Sequence, residues 1–380
     1  MLLKQCKGMT PEKVIYITWL SVALCFSWPL PVGSSRNKVF GFKILQIATV
    51  ISAIIMLLPL MYSIYLHLDD MVIVSKSFSA VTSVSQIAVH TFICFIKHDS
   101  FQRVIGEMVT YVKEAQKYER EIFCKYIAKC SILYGSCMLF AYVTVTIFLL
   151  GPVILSTSFP LDAEYPFNVN YTPVNAIIYL HQSFVCCQCA ANICLCISGA
   201  LLLWFTAARF ECLAVEFKKS SNIDMVITCV KKQLLLRRYA NEVINSFRFL
   251  ILYTTIVTTF TITLSCIIVF MNPPLIVKMQ FMAACLTVLT EVYMYAWPAD
   301  HMKDMSANVS RSVYDITWYE QTLEMQKDLL NVLVYQKPVI ISITYLVPEL
   351  SLRYYCSYLS NAFSIFTSLR ILLSVNNSAQ

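Results

Sequence analysis

The sequence predicts an all-α membrane protein: seven transmembrane helices, a cytosolic N-terminus, an extracellular C-terminus and a short re-entrant helix near the start. Three observations lead there. Apolar residues are abundant. They fall into runs long enough to cross a bilayer. The Lys and Arg residues sit on alternate connecting stretches.

Of 380 residues, 58% are hydrophobic and only 13% are Asp, Glu, Lys or Arg, with a mean hydropathy of +0.65. The charged share is about half that of a soluble domain. A soluble fold of this length could not cover so much apolar surface with so few charges. There are seven Gly and no Pro/Gly-rich linker, so residues 1–380 read as a single integral domain. The first ten residues carry charge. The apolar stretch after them is broken by Trp19, Trp28, Pro29 and Pro31, and no small-residue cleavage site follows, unlike a secretory signal.

A span needs about 20 mostly apolar residues. Seven stretches qualify: Val39–Leu66, Met71–Ile96, Tyr126–Leu150, Val174–Ala208, Phe247–Met271, Val277–Trp297 and Leu352–Leu373. The fourth is too long for one crossing and is expected to project into the cytosol. Val14–Leu30 is apolar but short, with Lys13 before it and Arg36 and Lys38 after it. Basic residues on both sides favour a helix that enters and returns, or lies in the interface, over a crossing.

Orientation follows from the basic residues. The N-terminal tail carries Lys4, Lys7, Lys13, Arg36 and Lys38. The second loop carries Lys97, Arg103, Lys113, Lys117, Arg120 and Lys125. The fourth carries Arg209, Lys218, Lys219, Lys231, Lys232, Arg237 and Arg238, and the sixth Lys303, Arg311, Lys327 and Lys337. The three intervening loops hold only Lys278. This places the N-terminus inside, the reverse of a G-protein-coupled receptor. The net charge of +7 then reports topology and contact with anionic membrane lipid, not nucleic-acid binding.

Three glycosylation sequons can be set on this map. Asn170 lies in the third loop and Asn376 in the C-terminal tail, both outside; Asn308 lies in a cytosolic stretch and should be silent.

Sixteen Cys is a high count, densest at Cys186, Cys187, Cys189, Cys194 and Cys196. They sit among Ala, Ile and Leu on a predicted membrane helix. That suits small apolar packing residues better than a zinc site on a polar loop. The outer loops hold no Cys, so no disulfide is expected. The five His show no ligand spacing, and His98-Asp99 reads as a helix cap or interfacial pair. No His-Glu-x-x-His, Walker A, Gly-x-Ser-x-Gly or Gly-x-Gly-x-x-Gly pattern occurs, so neither enzyme activity nor a metal or cofactor is expected. Glu291 and Arg248 are rare charges within spans. Either they mark function or they lie at helix ends or pair internally.

The last span is polar on one face. Ser357, Asn361, Ser364, Ser368 and Leu372 recur at steps of three and four. A stripe of small polar groups ending in Leu suits a water-filled path with a hydrophobic gate. It equally suits helix–helix packing in a membrane. One helix cannot enclose a pore, so a conducting stripe needs several subunits. Residues 300–338 offer a means of assembly. There Thr322–Val334 shows an apolar side (Leu323, Leu330, Val334) and a charged side (Glu324, Lys327, Asp328).

The C-terminal residues Tyr314-Asp315-Ile316-Thr317-Trp318-Tyr319, then Gln336-Lys337-Pro338, then Ser357-Tyr358 with Phe363, Phe366, Leu369 and Arg370, resemble the signature of insect odorant receptors. Phe26-Ser27-Trp28-Pro29 resembles the end of that family's first, re-entrant helix. The gustatory sister family's Thr-Tyr and Gln-Phe pair is absent from the last helix. The resemblance implies a heterotetrameric, ligand-gated, non-selective cation channel in the plasma membrane of olfactory neurons. Its ligand would be a small volatile organic molecule. The chain has no long insertion between its fourth and fifth helices, which implies the tuning subunit assembled with co-receptor subunits. Carried over, Thr322–Val334 becomes the intersubunit anchor and Ser364, Ser368 and Leu372 line the pore, Leu372 near the outer gate. The family's pocket lies in the outer half of the bundle. The resemblance then implies Phe78, Thr82 and Ser85; Met138, Thr144 and Phe148; Tyr179, Phe184 and Gln188; and Phe281 and Cys285 as candidate ligand contacts. Met and aromatic contacts there imply loose selectivity.

Overall fold

The structure is a computed structural model. It describes the chain except residues 1–8, 156–158, 170, 221–222, 271–274, 316–318, 320–321, 324–325, 328–329, 331–336, 344–346 and 379–380. Within helices it leaves aside the side chains of 71–72, 151, 153–155, 223, 266–270, 276–277, 279–281, 283–284, 369–370 and 372–378.

The described chain is helical. In order it forms α1 (Pro11–Val22) with a 3-10 turn (Ala23–Cys25), α2 (Arg36–Leu66), α3 (Met71–Ile96), α4 (His98–Glu114), α5 (Lys117–Leu155), α6 (Thr172–Lys219), α7 (Ile223–Phe270), α8 (Leu275–Tyr314) and α9 (Leu352–Ser378). A lone antiparallel bridge joins Ile343 and Val347. The seven predicted spans fall on α2, α3 and α5 to α9. By length and composition, α2, α3, α5, α6 and α7 each contain a stretch able to cross a membrane.

Four of these helices run well past the apolar stretches that mark them. α5 starts at Lys117, α6 ends at Lys219, α7 starts at Ile223 and α8 ends at Tyr314. The extensions are too charged to register as spans, yet their apolar faces still pack. α4 is the same effect on its own. The sequence reads its region as a charged connecting loop. The chain forms a helix there because Phe101, Val104, Ile105, Met108 and Val112 are spaced by three and four and are all buried.

α6 runs through the middle of the bundle, packed against α5, α7 and α8. Its buried positions include many small ones, among them Ala190, Ala191, Cys194, Cys196, Ala200, Ala207, Ala208 and Cys212. Small side chains let backbones approach closely where lipid supplies no hydrophobic drive between helices. Gly199 is the extreme case. A Cβ there would stand 2.8 Å from the Phe247 ring and 2.9 Å from that of Tyr295.

α1 enters the bundle and the chain returns on the same side. Thr10 caps its start and Glu12 pairs with Arg120 at 2.9 Å. At the deep end, the Cys25 thiol donates to the Gln188 carbonyl at 3.1 Å and Gln46 donates to the Phe26 carbonyl at 2.8 Å. Phe26 turns the chain with φ +49°, a conformation that costs a bulky residue about 1 kcal/mol. On the way back, Gln102 of α4 donates to the Leu30 and Pro31 carbonyls at 2.9 and 3.2 Å.

Ahead of α9, the chain tucks under α8. Ile341, Ile343, Val347 and Leu350 are buried, and Val339 N–H donates to Ser306 Oγ at 2.9 Å. Lys303 pairs with Glu349, whose carboxylate holds the lysine above its ordinary value.

Candidate functional site

Inside a lipid-embedded bundle, polar side chains have no water and must find one another. Here they form a seam between α3, α6, α7, α8 and α9. Tyr253 of α7 donates to Ser85 of α3 at 3.0 Å. His90 of α3 bridges two helices, meeting Asn192 Oδ1 of α6 at 3.0 Å and Thr254 Oγ1 of α7 at 3.3 Å. One turn earlier on α3, Gln86 hydrogen-bonds Glu291 of α8. Both are buried, and one Glu291 oxygen has no hydrogen-bond partner among the described residues. Glu291 is therefore a mid-bundle charge beside an amide, not a helix-end charge.

The seam ends at α9. The Tyr358 hydroxyl donates to Thr258 Oγ1 at 3.1 Å and accepts from Thr259 at 3.3 Å. The Tyr358 ring packs with Ile262, Val288 and Val292. This phenol fastens α9 to α7 at a buried point. Most other Thr hydroxyls of α7 bond back to their own helix, as Thr255 does to Ile251 at 2.8 Å.

On α9, Ser357, Asn361, Ser364 and Ser368 are all exposed, while Tyr358 is buried. The polar stripe thus faces away from its own bundle. The Leu372 side chain lies outside the described residues, as do Asn170, the Phe281 side chain and most of residues 322–334, where an anchor is expected. Of that segment, Leu323 and Leu330 are 69% and 61% exposed.

The candidate ligand contacts are spread over several faces. Phe78, Thr82 and Ser85 are half-buried on α3, and Ser85 belongs to the seam. Met138 lines a crevice beneath α1, Thr144 is half-buried, and Phe148 is 48% exposed. Tyr179 ties α6 to α5 by donating to the Leu149 carbonyl at 2.9 Å. Phe184 is 41% exposed. Gln188 is fully buried, its amide 3.4 Å from Thr49 of α2. Cys285 is half-buried on α8. Gln182, one turn before Cys186, accepts from Leu161 N–H at 2.9 Å and donates to Tyr165 at 3.1 Å. These two bonds fold the loop before α6 over the helix end.

Sequence reading missed Gln86, His90, Asn192 and Tyr253. A signal was there: Gln86 and His90 are four apart, and Tyr253, Thr254 and Thr258 lie on one side of α7. Among the described residues, no group of three His, Cys, Asp or Glu gathers to hold a metal. Apart from that Glu291 oxygen, the seam's polar groups are paired with one another across helices, so a change at one helix is felt at its neighbours.

Such a bundle, with a polar interior bonded through Tyr358 to a last helix whose polar face points outward, is that of a helical membrane protein. The sequence model of the 7tm odorant receptor family matches residues 70–363, and the chain belongs to that family, which is not a family of enzymes. The fold is similar to that of the insect olfactory receptor OR5 from Machilis hrabei, with a TM-score of 0.76, 14% identity and coverage of 94% of this chain and 97% of that one. The same receptor in complex with eugenol matches with a TM-score of 0.75 at 13% identity, covering 95% and 98%. No curated relative matches the sequence.

Proposed function

We propose that the chain is the odorant-binding subunit of a heteromeric, ligand-gated, non-selective cation channel in the plasma membrane of olfactory sensory neurons. It assembles with co-receptor subunits in a heterotetramer, its N-terminus in the cytosol and its C-terminus outside. A volatile ligand binds in the outer half of the bundle. Of the candidate contacts on α3, α5, α6 and α8, Met138 lies instead in the crevice beneath α1; the others are assigned to that region, with Ser85 the one bonded into the seam. Binding shifts the seam, and Tyr358 passes the shift to α9, whose Ser357–Ser368 stripe lines the ion path.

One observation carries this reading. α9 presents four small polar residues on an exposed face and is held to the polar seam by a buried tyrosine. A polar face left open in a lone chain suits a path shared between subunits. The alternation of basic residues supports the orientation. The family and the eugenol-bound receptor of similar fold support a small volatile ligand.

The test is whole-cell recording from cells expressing this chain with a co-receptor, G-protein signalling blocked, against an odorant panel that includes eugenol. Odorant-evoked cation current is expected. Surface expression without current across the panel counts against the channel reading. Staining of an N-terminal tag in unpermeabilised cells overturns the orientation and favours a metabotropic receptor.

A further inference from the structure

Two cavities meet at the basic end of the bundle. The larger, about 520 Å³, opens between α5, α6 and α8. That lies within the range of small-ligand sites, roughly 300–1,000 Å³. Four cations line it, Lys125, Lys129, Lys218 and Arg311, against two carboxylates, Glu211 and Asp315. Lys125 pairs with Glu211 at 2.8 Å and Lys218 with Asp315 at 3.4 Å. Lys129 and Arg311 have no carboxylate partner among the described residues. Lys129 instead lies over the rings of Trp204 and Trp297, at 5.3 and 5.6 Å. Burial and the Lys129 charge hold the His301 imidazole below its ordinary value, so it adds a neutral hydrogen-bonding edge.

The smaller cavity, about 150 Å³, is an apolar slot beneath α1, with Val14, Ile17, Ile127 and Leu201 among its walls. Tyr126 lines both cavities. Trp204 walls the slot and carries Lys129 on its ring. A cationic chamber and an apolar slot that share a wall match the two ends of one molecule. Basic pockets between membrane helices on the cytosolic side suit anionic lipid headgroups.

We propose that these cavities form a site for one anionic phospholipid, its phosphate-bearing headgroup between Lys129 and Arg311 and an acyl chain in the slot beneath α1. The site rests on the reading that this end faces the cytosol. A free phosphate compound would use the chamber alone and leave the slot without a role.

The experiment titrates purified full-length chain in detergent with three probes: dioctanoyl phosphatidylinositol bisphosphate, dioctanoyl phosphatidylcholine and inositol trisphosphate, read by native mass spectrometry. The bisphosphate lipid should bind and phosphatidylcholine should not. Lys129→Gln with Arg311→Gln should weaken the lipid by about tenfold or more, the loss expected for charge-assisted contacts. Gly135→Phe fills the slot from a position where a Cβ meets nothing within 4 Å. It should weaken the lipid and leave inositol trisphosphate unchanged. Arg311 is exposed, so Arg311→Gln alone reads the headgroup contact if the double variant misfolds. Inositol trisphosphate binding as tightly as the lipid, with Gly135→Phe silent, overturns the lipid assignment. Equal binding of phosphatidylcholine, or indifference to Arg311→Gln, overturns the site. Binding in detergent does not depend on which way the chain crosses a membrane, so failure of the orientation would show only in the tag experiment.

Discussion

α6 and α9 are both long helices of one bundle, yet they are built for opposite surroundings. From Val185 to Phe217, α6 is buried on nearly every side, with small residues inside and its buried Gln188, Asn192, Ser198 and Thr206 bonded within the chain. α9 buries Tyr358 and turns Ser357, Asn361, Ser364 and Ser368 outward. The difference separates what holds the chain together from what the chain offers to others. A helix packed all round by its own chain has no free face for a partner. α9 is bonded to α7 through one buried phenol and packs on α7 and α8 along one side only, and its open polar face is incomplete until something covers or hydrates it.

The largest effect should come from attacking the packed helix. Gly199→Leu drives atoms into Phe247 and Tyr295 and should cost about 3 kcal/mol, the upper part of the overpacking range. Fluorescence-detected size exclusion should show most of the folded protein gone. A variant that elutes and melts like the parent would break the contrast at its rigid end.

Next comes the fastening point. Tyr358→Phe keeps the ring and removes two hydrogen bonds to α7, about 1–2 kcal/mol in total. Surface expression should hold while the odorant concentration for half-maximal current shifts by about tenfold, the factor that corresponds to about 1.4 kcal/mol. An unshifted response would show that the phenol is structural only.

The stripe should be sensitive in function and nearly silent in stability. In a Cys356→Ser background, since Cys356 is an exposed thiol on the same helix, Ser364→Cys should change stability by less than about 0.5 kcal/mol. A charged thiol reagent should then block the current. Full current after complete labelling would place the stripe away from the ion path.

The smallest effect belongs to the surface. Arg103 and Glu242 pair at 2.6 Å with side chains 60% and 35% exposed. Arg103→Gln should cost about 0.5 kcal/mol or less, because water screens such pairs. Thermal unfolding with and without added salt would measure it.

Much of the fold was legible because lipid imposes simple rules. Apolar runs located the long helices, and the spacing of Ser357, Asn361, Ser364 and Ser368 anticipated a single face that the structure leaves exposed. α4 was hidden because its charges mask a regular apolar face in any hydropathy average. The seam was hidden for a different reason. Gln86 and Glu291 are far apart in sequence, and nothing local says which helices will be neighbours. The candidate ligand contacts suffer from the same ambiguity of rotation. An apolar helix gives little sign of which side faces inward, so Phe184 and Phe148 stand largely exposed while Gln188 is sealed against α2.

The small side chains along α6 have a consequence for how such a receptor varies. Ala, Cys, Gly and Ser differ by a heavy atom or two, and at a close helix contact it is volume, more than chemistry, that decides which fits. A post made of them tolerates exchange at many positions while the backbone spacing stays fixed. Sequence can then drift at these positions without moving the helices packed against them. At these positions the spacing of the bundle is kept by size, while the bonds of Asn192 and Gln188 keep its register.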